Sequence, residues 1–457
     1  MNLKVDSIRE CLEGAIPGTM ATTAPNGTPN IAYLSQVQFV DADHVALSYQ
    51  FFNKTRQNIL ANPIASLKVG NPTTGAHYLL ALQYLRTETT GPLFESMKAK
   101  LAGIASHTGM SGVFKLLGAD VFRVLAVEAV PIATLQPAPT RRNMLAATRK
   151  AIERLDGCAD LESVLNRLLD VLEHDFGITH AMVLMLDHAR GALYTVTSRG
   201  YDASGAGSEI PLGQGVIGVA ARERTPIRIG HMTSEYAYGR AIRESVQRND
   251  PALALETEIP LPGLAQSRSQ LAVPILACGQ TLGVIFVESD QDLRFTYDDE
   301  DALVTVAGHL GLAIRLMQNA PEATEPSEWE HLDTSDTRAA PVARPLAKGP
   351  ELAVRRYPAN NSIFLDGNYL IKGVAGAIFW SLVSDYVHSG RHEFSNRELR
   401  LDSRIRLPDF SDNLEARLVL LGKRLSERNA GIRIEKTGRG RFRLEVEHPL
   451  QLTETPD

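Results

Sequence analysis

Residues 47–69 read LSYQFFNKTRQNILANPIASLKV. The stretch joins two apolar, strand-like runs through Lys54, Thr55, Arg56, Gln57 and Asn58, side chains that can all donate a hydrogen bond to an anion. Polar residues dominate ordinary connections, so a solvated turn is one reading. An anion cradle is the other. KTRQNILAN reads as a short helix ended by Asn62-Pro63, and a helix N-terminus offers unpaired N–H groups and the positive end of its dipole.

The flanking sequence sets that turn in a β-rich frame. GTMATTAPNGTPNIAYLSQVQFVDADHVALSYQ alternates short strand-like runs with the turn signals Asn26-Gly27 and Asp41-Ala42-Asp43, and further strands are expected at 64–69, 78–90 and 120–130. A second helix is expected in GPLFESMKAKLAGIAS, and the spacing of the strands predicts a small antiparallel barrel. The order of GTPNIAYLSQVQFV, VALSYQFFNKTRQNILANP and LQYLRTETTGPLFESMKAKL resembles the flavin-binding split barrels related to pyridoxamine 5'-phosphate oxidase, over most of residues 10–130. The resemblance implies FMN, with its phosphate held by Lys54 and Thr55, with Ser48 and Gln36 near the isoalloxazine or ribityl chain, and with Arg86 as a further contact. The oxidase's substrate-phosphate arginine and histidine set is not found, and its Arg-rich strand reads NIAYLSQV here, so vitamin B6 oxidation is not implied. A barrel that has lost its flavin and kept its dimer interface, or one that holds haem or a deazaflavin, stays open.

Length and composition bound the rest. At 457 residues the chain fits three domains of about 150 residues each. Hydrophobic content of 44% and charged content of 22% are those of a globular protein. No apolar run reaches the roughly 18–20 residues that span a bilayer, and MNLKVDSIRECLEGAIPG lacks the pattern of a secretory signal. A cytoplasmic location is the expectation. The three cysteines, Cys11, Cys158 and Cys278, form no CxxC pair, and the twelve histidines form no HxH or HExxH, so neither disulfides nor a metal centre are expected.

Seams divide the chain. NAPEATEPSEWEHLDTSDTRAAPVARPLAKGPE (319–351) has too few large apolar residues to offset chain entropy and reads as a flexible linker over 319–350. VPIATLQPAPTRRN (130–143) is a weaker seam. The expected units are 1–137, 144–318 and 351–455, giving a multidomain α+β protein.

The second unit opens with the amphipathic helices NMLAATRKAIERLDG and ADLESVLNRLLDVLEHDFG, continues through strands, and closes with DDEDALVTVAGHLGLAIRLMQ. It contains GQGVIG (213–218), a formal GxGxxG. No long apolar strand precedes it and no acidic ribose partner follows, so a dinucleotide site is not expected. IPLGQGVIGVAARERTPIRI, SQLAVPILACGQTLGVIFVES and FTYDDEDALVTVAGHLGLAI together resemble a GAF domain, an α/β/α sheet domain, across essentially the whole unit. GAF domains bury small ligands such as cyclic nucleotides, tetrapyrroles or haem, or serve as dimerisation modules. The loop carrying His231, Tyr236, Tyr238 and Arg240 could line such a pocket or be a solvated lid. Cys278 sits in a hairpin rather than in this loop, which argues against a covalent bilin.

In the third unit, SIFLDGNYLIKG reads as a hairpin turning at Asp366-Gly367. VAGAIFWSLVSDYVHSG is an apolar helix closed by Gly390, and SNRELRLD starts at a Ser395 cap with Glu398 three residues on. SDNLEARLVLLGKRLSERN is a third helix, followed by the hairpin GIRIEKTGRGRFRLEVE. This order resembles the winged helix of response regulators, which implies DNA contact. Residues 391–443 hold 14 Lys/Arg against 8 Asp/Glu, a local surplus of 6 in a chain of net charge −6. The candidates are Arg417, Lys423, Arg424 and Arg428 on the third helix and Lys436, Arg439, Arg441 and Arg443 on the wing. The middle of that helix, LVLLG, is poor in base-reading side chains, and a wing used for protein contact is the alternative.

Taken together, the expectation is a homodimeric regulator that senses a flavin or small molecule and passes the state to DNA. The rivals are an FMN-dependent oxidoreductase regulated by its GAF domain and a non-catalytic interaction protein. No catalytic acid–base pair or nucleophile is evident, and flavin chemistry needs few protein groups.

Overall fold

The computed structural model describes residues 3–12, 16–50, 53–72, 74–107, 115–134, 142–230, 259–319, 351–405, 407, 414–438 and 440–455. After a short helical segment, Val5–Leu12, come β1 (Gly18–Thr23), β2 (Pro29–Leu34), β3 (Val37–Phe39), β4 (His44–Tyr49), α1 (Asn53–Ala61), β5 (Ile64–Gly70), β6 (His77–Glu88), α2 (Pro92–His107) and β7 (Gly118–Val130). The strands form one curled antiparallel sheet in the order β2-β1-β5-β6-β7-β4-β3. Alternation along β4 shows how it is lined: Val45 and Leu47 enter the barrel core, while Ala46 turns to Phe94, Met97 and Leu101 of α2. Helix α1 stops where proline forbids continuation, two residues before Pro63.

The second unit holds α3 (Met144–Asp156), α4 (Leu161–His174), β8 (His180–Asp187), β9 (Ala192–Arg199), β10 (Glu209–Pro211), α5 (Gly215–Glu223), β11 (Ile227–Ile229), β12 (Ser269–Ala277), β13 (Gln280–Ser289) and α6 (Tyr297–Asn319). Its sheet runs β10-β9-β8-β13-β12-β11, all antiparallel. Ala181, Val183 and Met185 of β8 join the cluster of α3, α4 and α6, whereas Met182, Leu184 and Leu186 join that of α5. Asn143 and Asp160 cap α3 and α4 by accepting from Ala146 and Ser163 amides. GQGVIG follows only the three-residue edge strand β10, with no βαβ unit around it. Its last glycine serves packing: a Cβ on Gly218 would lie 2.4 Å from the Pro211 carbonyl oxygen.

The third unit contains β14 (Leu352–Tyr357), β15 (Ser362–Leu365), β16 (Asn368–Ile371), α7 (Gly373–Ser389), β17 (Glu393–Ser395), α8 (Asn396–Leu401), α9 (Leu414–Glu427), β18 (Ile432–Gly438), β19 (Arg441–Val446) and β20 (Leu450–Glu454). Asp366 (φ 48) and Gly367 (φ 80) give the β15–β16 turn the positive φ pair of a type I′ hairpin. Ser395 and Glu398 form a complete capping box. Three strands escape the sequence reading: β14, which pairs β15, β17, which pairs β19, and β20, which returns parallel to β14. One contiguous apolar cluster runs from α3, α4 and α6 into α7 and α9, so the second and third units share a core. Among the described residues no helix is long and apolar enough to cross a membrane.

Candidate functional site

At the N-terminus of α1 the opening stretch splits in two directions. Lys54 is exposed and makes no hydrogen bond or ion pair among the described residues. Thr55 is buried, its hydroxyl accepting from Asn30 Nδ2 at 3.0 Å. Arg56 turns inward to Asp120, donates to Thr87 Oγ1 at 2.7 Å, and lies 4.7 Å over the Tyr49 ring. Burial pushes the Asp120 carboxyl up, and the hydrogen bonds from Thr87 and Arg56 only partly oppose it. The cavity beside these groups, bounded by Met20, Leu47, Tyr49, Ile59 and Phe122, measures about 10 Å³. It is the size of one water molecule. Arg56 is therefore a structural member of the barrel.

Ser48 of β4 and Gln36, the residue before β3, are both buried. Ser48 Oγ accepts from the Gln36 amide at 3.2 Å and from Gln50 Nε2 at 3.4 Å. Gln36 Nε2 donates to Gln38 Oε1 at 3.2 Å, and Gln38 Nε2 donates to Ser96 Oγ at 3.4 Å. Gln36 Oε1 and Gln50 Oε1 are buried with no donor among the described residues. An acceptor left so costs about 1–3 kcal/mol. Sequence reasoning missed Gln38, Gln50 and Ser96, and the QxQ alternation of β3 was the signal available. Arg86 is exposed and donates twice to Glu88 Oε1, at 3.0 and 2.7 Å, away from this cluster.

Of the five sequence candidates, Ser48 and Thr55 line that small cavity, and Lys54, Gln36 and Arg86 do not. For FMN the chain supplies a lysine at a helix N-terminus, suited to a phosphate, and two orphaned amide oxygens suited to a ring N–H. The residues fit the ligand at its ends. The cavity beside Thr55 and Arg56, at about 10 Å³, does not enclose its ring system.

The basic candidates of the third unit require correction. Arg417 is 4% exposed, and its Nη2 donates to Asp187 Oδ2 of β8 at 2.7 Å, with its guanidinium carbon 3.8 Å from the Tyr194 ring centre. Lys423 donates to Thr197 of β9, and burial lowers its pKa. Arg424 is buried and donates to the Leu370 carbonyl at 3.0 Å, and Arg428 donates to the Tyr369 carbonyl at 2.9 Å. Lys436 pairs with Asp160 at 2.9 Å and Glu162 at 3.3 Å, and Arg443 with Glu393 at 2.9 Å. Arg441 is exposed. Helix α9 therefore does not present a solvent-facing basic stripe; Arg417 and Lys423 are spent on the neighbouring sheet. Arg439, and the loop residues His231, Tyr236, Tyr238 and Arg240, lie outside the described residues. Between α6 and the pair α9–β18 opens a cleft of about 1630 Å³, lined by Leu312, Leu316, Leu418, Gly422, Asp160 and Lys436.

Comparison with known families agrees with the first two units. Residues 158–315 match the family model of the GAF domain, and residues 5–111 that of pyridoxamine 5'-phosphate oxidase. The chain therefore carries a pyridoxamine 5'-phosphate oxidase-type split barrel followed by a GAF domain, which together make it a sensory or ligand-binding protein. No match was found among curated proteins. Among solved structures, the GAF domain of an Acinetobacter phosphoenolpyruvate-protein phosphotransferase is similar at 17% identity, covering 39% of this chain and 97% of that one, with a TM-score of 0.31. Free methionine-R-sulfoxide reductase from Neisseria meningitidis is similar at 20% identity over 37% of this chain and 86% of its own, TM-score 0.29. An FMN-binding protein from Syntrophomonas wolfei subsp. wolfei is similar at 18% identity over 28% and 86%, TM-score 0.23.

Proposed function

We propose that this chain is a homodimeric, flavin-linked sensory regulator whose third unit is a winged-helix output that contacts DNA. The observation that carries the reading is the seating of α9: a basic helix, in the position of a recognition helix, is held by side chains of the GAF sheet, so sensor and output are mechanically joined. The order α7, β17, α8, α9, β18, β19 supports the winged helix. On the barrel, Ile31 and Tyr33 of β2 are about 70% exposed and Leu125 of β7 is 52% exposed. A second copy covering these exposed side chains would help wall in the flavin ring. Lys54 and Thr55 would then hold the phosphate end, and Gln36 and Gln50 would meet the ring. FMN supplies one- and two-electron redox chemistry when bound.

The test combines visible absorption with and without FMN, anisotropy of a labelled duplex DNA, and sedimentation. A flavin spectrum, salt-sensitive DNA binding and a dimer support the reading. Turnover with reduced nicotinamide would favour the oxidoreductase instead, and absence of both ligands would leave an interaction protein.

A further inference from the structure

From Leu414 to Leu425 no residue of helix α9 is exposed, and one side of the helix lines the cleft against α6. Leu414, Leu421 and Leu425 enter the apolar core that the second and third units share, Arg417 and Lys423 reach β8 and β9, and Leu418 and Gly422 line the cleft against α6. A helix with its side chains is about 10–12 Å across and just fills the major groove. Helix α9 cannot enter a groove while the GAF sheet is on it. Resting on the winged-helix reading above, we propose that the GAF sheet holds the output in a closed state, with Asp187 as the latch on Arg417.

The geometry of the latch favours a switch over a simple staple. Asp187 ends β8, and its Oδ1 accepts from the Arg190 amide at 3.0 Å, which aims Oδ2 at Arg417. Both partners are almost wholly buried, at 5% and 4% side-chain exposure. Burying two charges costs hydration that their attraction roughly offsets, so such a pair adds little net stability yet fixes one docking register. Parting the units rehydrates both charges. A DNA phosphate, like a carboxylate, offers a guanidinium two acceptor oxygens and can replace Asp187 on Arg417. The same exchange is available to Lys436, now held by Asp160 and Glu162. GAF acidic groups thus occupy positions that phosphates take in the open state.

The experiment uses the full chain and a fluorescein-labelled 30-base-pair duplex of mixed sequence, with hydrogen exchange of α9 and β9 amides as an independent readout of opening. Asp187→Ala is expected to raise exchange in both elements and to bind DNA at least tenfold more tightly than the parent, as removing a closed-state tax requires. Should that variant fail to fold, Ser204→Glu serves, because it sets a second carboxylate against Glu427, now hydrogen-bonded to Ser204, without touching the core. If the variants open and bind DNA no better than a parent that also binds, the latch is refuted while the output reading stands. If they open and neither binds, the DNA reading itself falls. If neither variant opens, Asp187 and this face do not hold the units together, and the proposal is wrong.

Discussion

Replacing Tyr297 by alanine removes one of the side chains on which the split barrel meets the GAF domain, beside the Arg9–Asp301 pair and Ala99. Tyr297 is 7% exposed at the first turn of α6, and its hydroxyl donates to the Leu12 carbonyl at 3.1 Å. Its ring meets Phe39 edge-on at 6.0 Å, and Arg228, Arg9 and Lys100 stand over it at 4.3, 4.8 and 5.0 Å. One edge-to-face pair contributes about 1 kcal/mol, three cations roughly 0.5–1 kcal/mol each, and the hydrogen bond about 1 kcal/mol. The total falls within the ~3–5 kcal/mol typical of a buried aromatic truncated to alanine. Because a chain with several domains need not unfold in one step, the assay is urea titration read by hydrogen exchange on separate barrel and GAF peptides. The expected result is a barrel that opens before the GAF domain, with the Val5–Leu12 amides exchanging roughly a hundred- to several-thousandfold faster than in the parent, since each 1.4 kcal/mol is tenfold. Tyr297→Phe should lose only the hydroxyl's share, the bond to the Leu12 carbonyl and the weaker one accepted from the Phe39 amide at 3.4 Å, about 1–2 kcal/mol. Unchanged exchange in Val5–Leu12, or equal damage from phenylalanine and alanine, would show that the ring is not the anchor.

Three further outcomes follow from single sites. Lys54→Ala is expected to weaken FMN about tenfold while leaving riboflavin, which lacks the phosphate, unchanged in a flavin-fluorescence titration; equal loss of both would place Lys54 elsewhere. Burial opposes ionisation of Asp402, but hydrogen bonds from Arg404 and Ser381 prevail and hold its pKa at about 2. A carboxyl lowered from about 3.9 contributes stability above pH 4 that is lost as pH falls toward 2, at most about 2 kcal/mol here. Asp402→Asn should flatten that acid limb in thermal scans of the third unit, and an unchanged limb would exclude the cause. Gly376→Ala should destabilise the third unit by roughly 1–3 kcal/mol, because its Cβ would lie 2.0 Å from the Asn361 carbonyl oxygen, and a denaturant midpoint equal to the parent's would refute the clash.

Local devices were legible in the sequence because their causes are local. Asp366-Gly367, the Ser395–Glu398 box and the halt of α1 before Pro63 each follow from residues within a few positions of one another. The rejection of GQGVIG as a dinucleotide loop rested on its flanks, which the short edge strand β10 explains. What stayed hidden are partners fixed by tertiary contact. Arg56 looked like an anion ligand until Asp120, 64 residues on, claimed it. The charge count over 391–443 was read as a solvent-facing surface, whereas Asp187, 230 residues before Arg417, neutralises its centre. A sequence displays the sign of a helix but not which domain carries the opposite sign.

Helix α6 ties these contacts into one argument. Its first residue is Tyr297, in the barrel junction, and its last turns place Leu316 and Met317 in the cleft facing α9. At about 1.5 Å per residue, its 23 residues span roughly 34 Å, so a single rod touches all three units. Energetic coupling over such a distance requires an element with two arrangements that both ends bias. The closed seat of α9 is one arrangement, and the released helix is the other. If α6 carries the barrel's state, Tyr297→Ala should alter DNA affinity in the parent and have no effect once Asp187→Ala has already released α9. Effects that simply add would mean that barrel and output act independently, and that the barrel's ligand is read by something other than this helix.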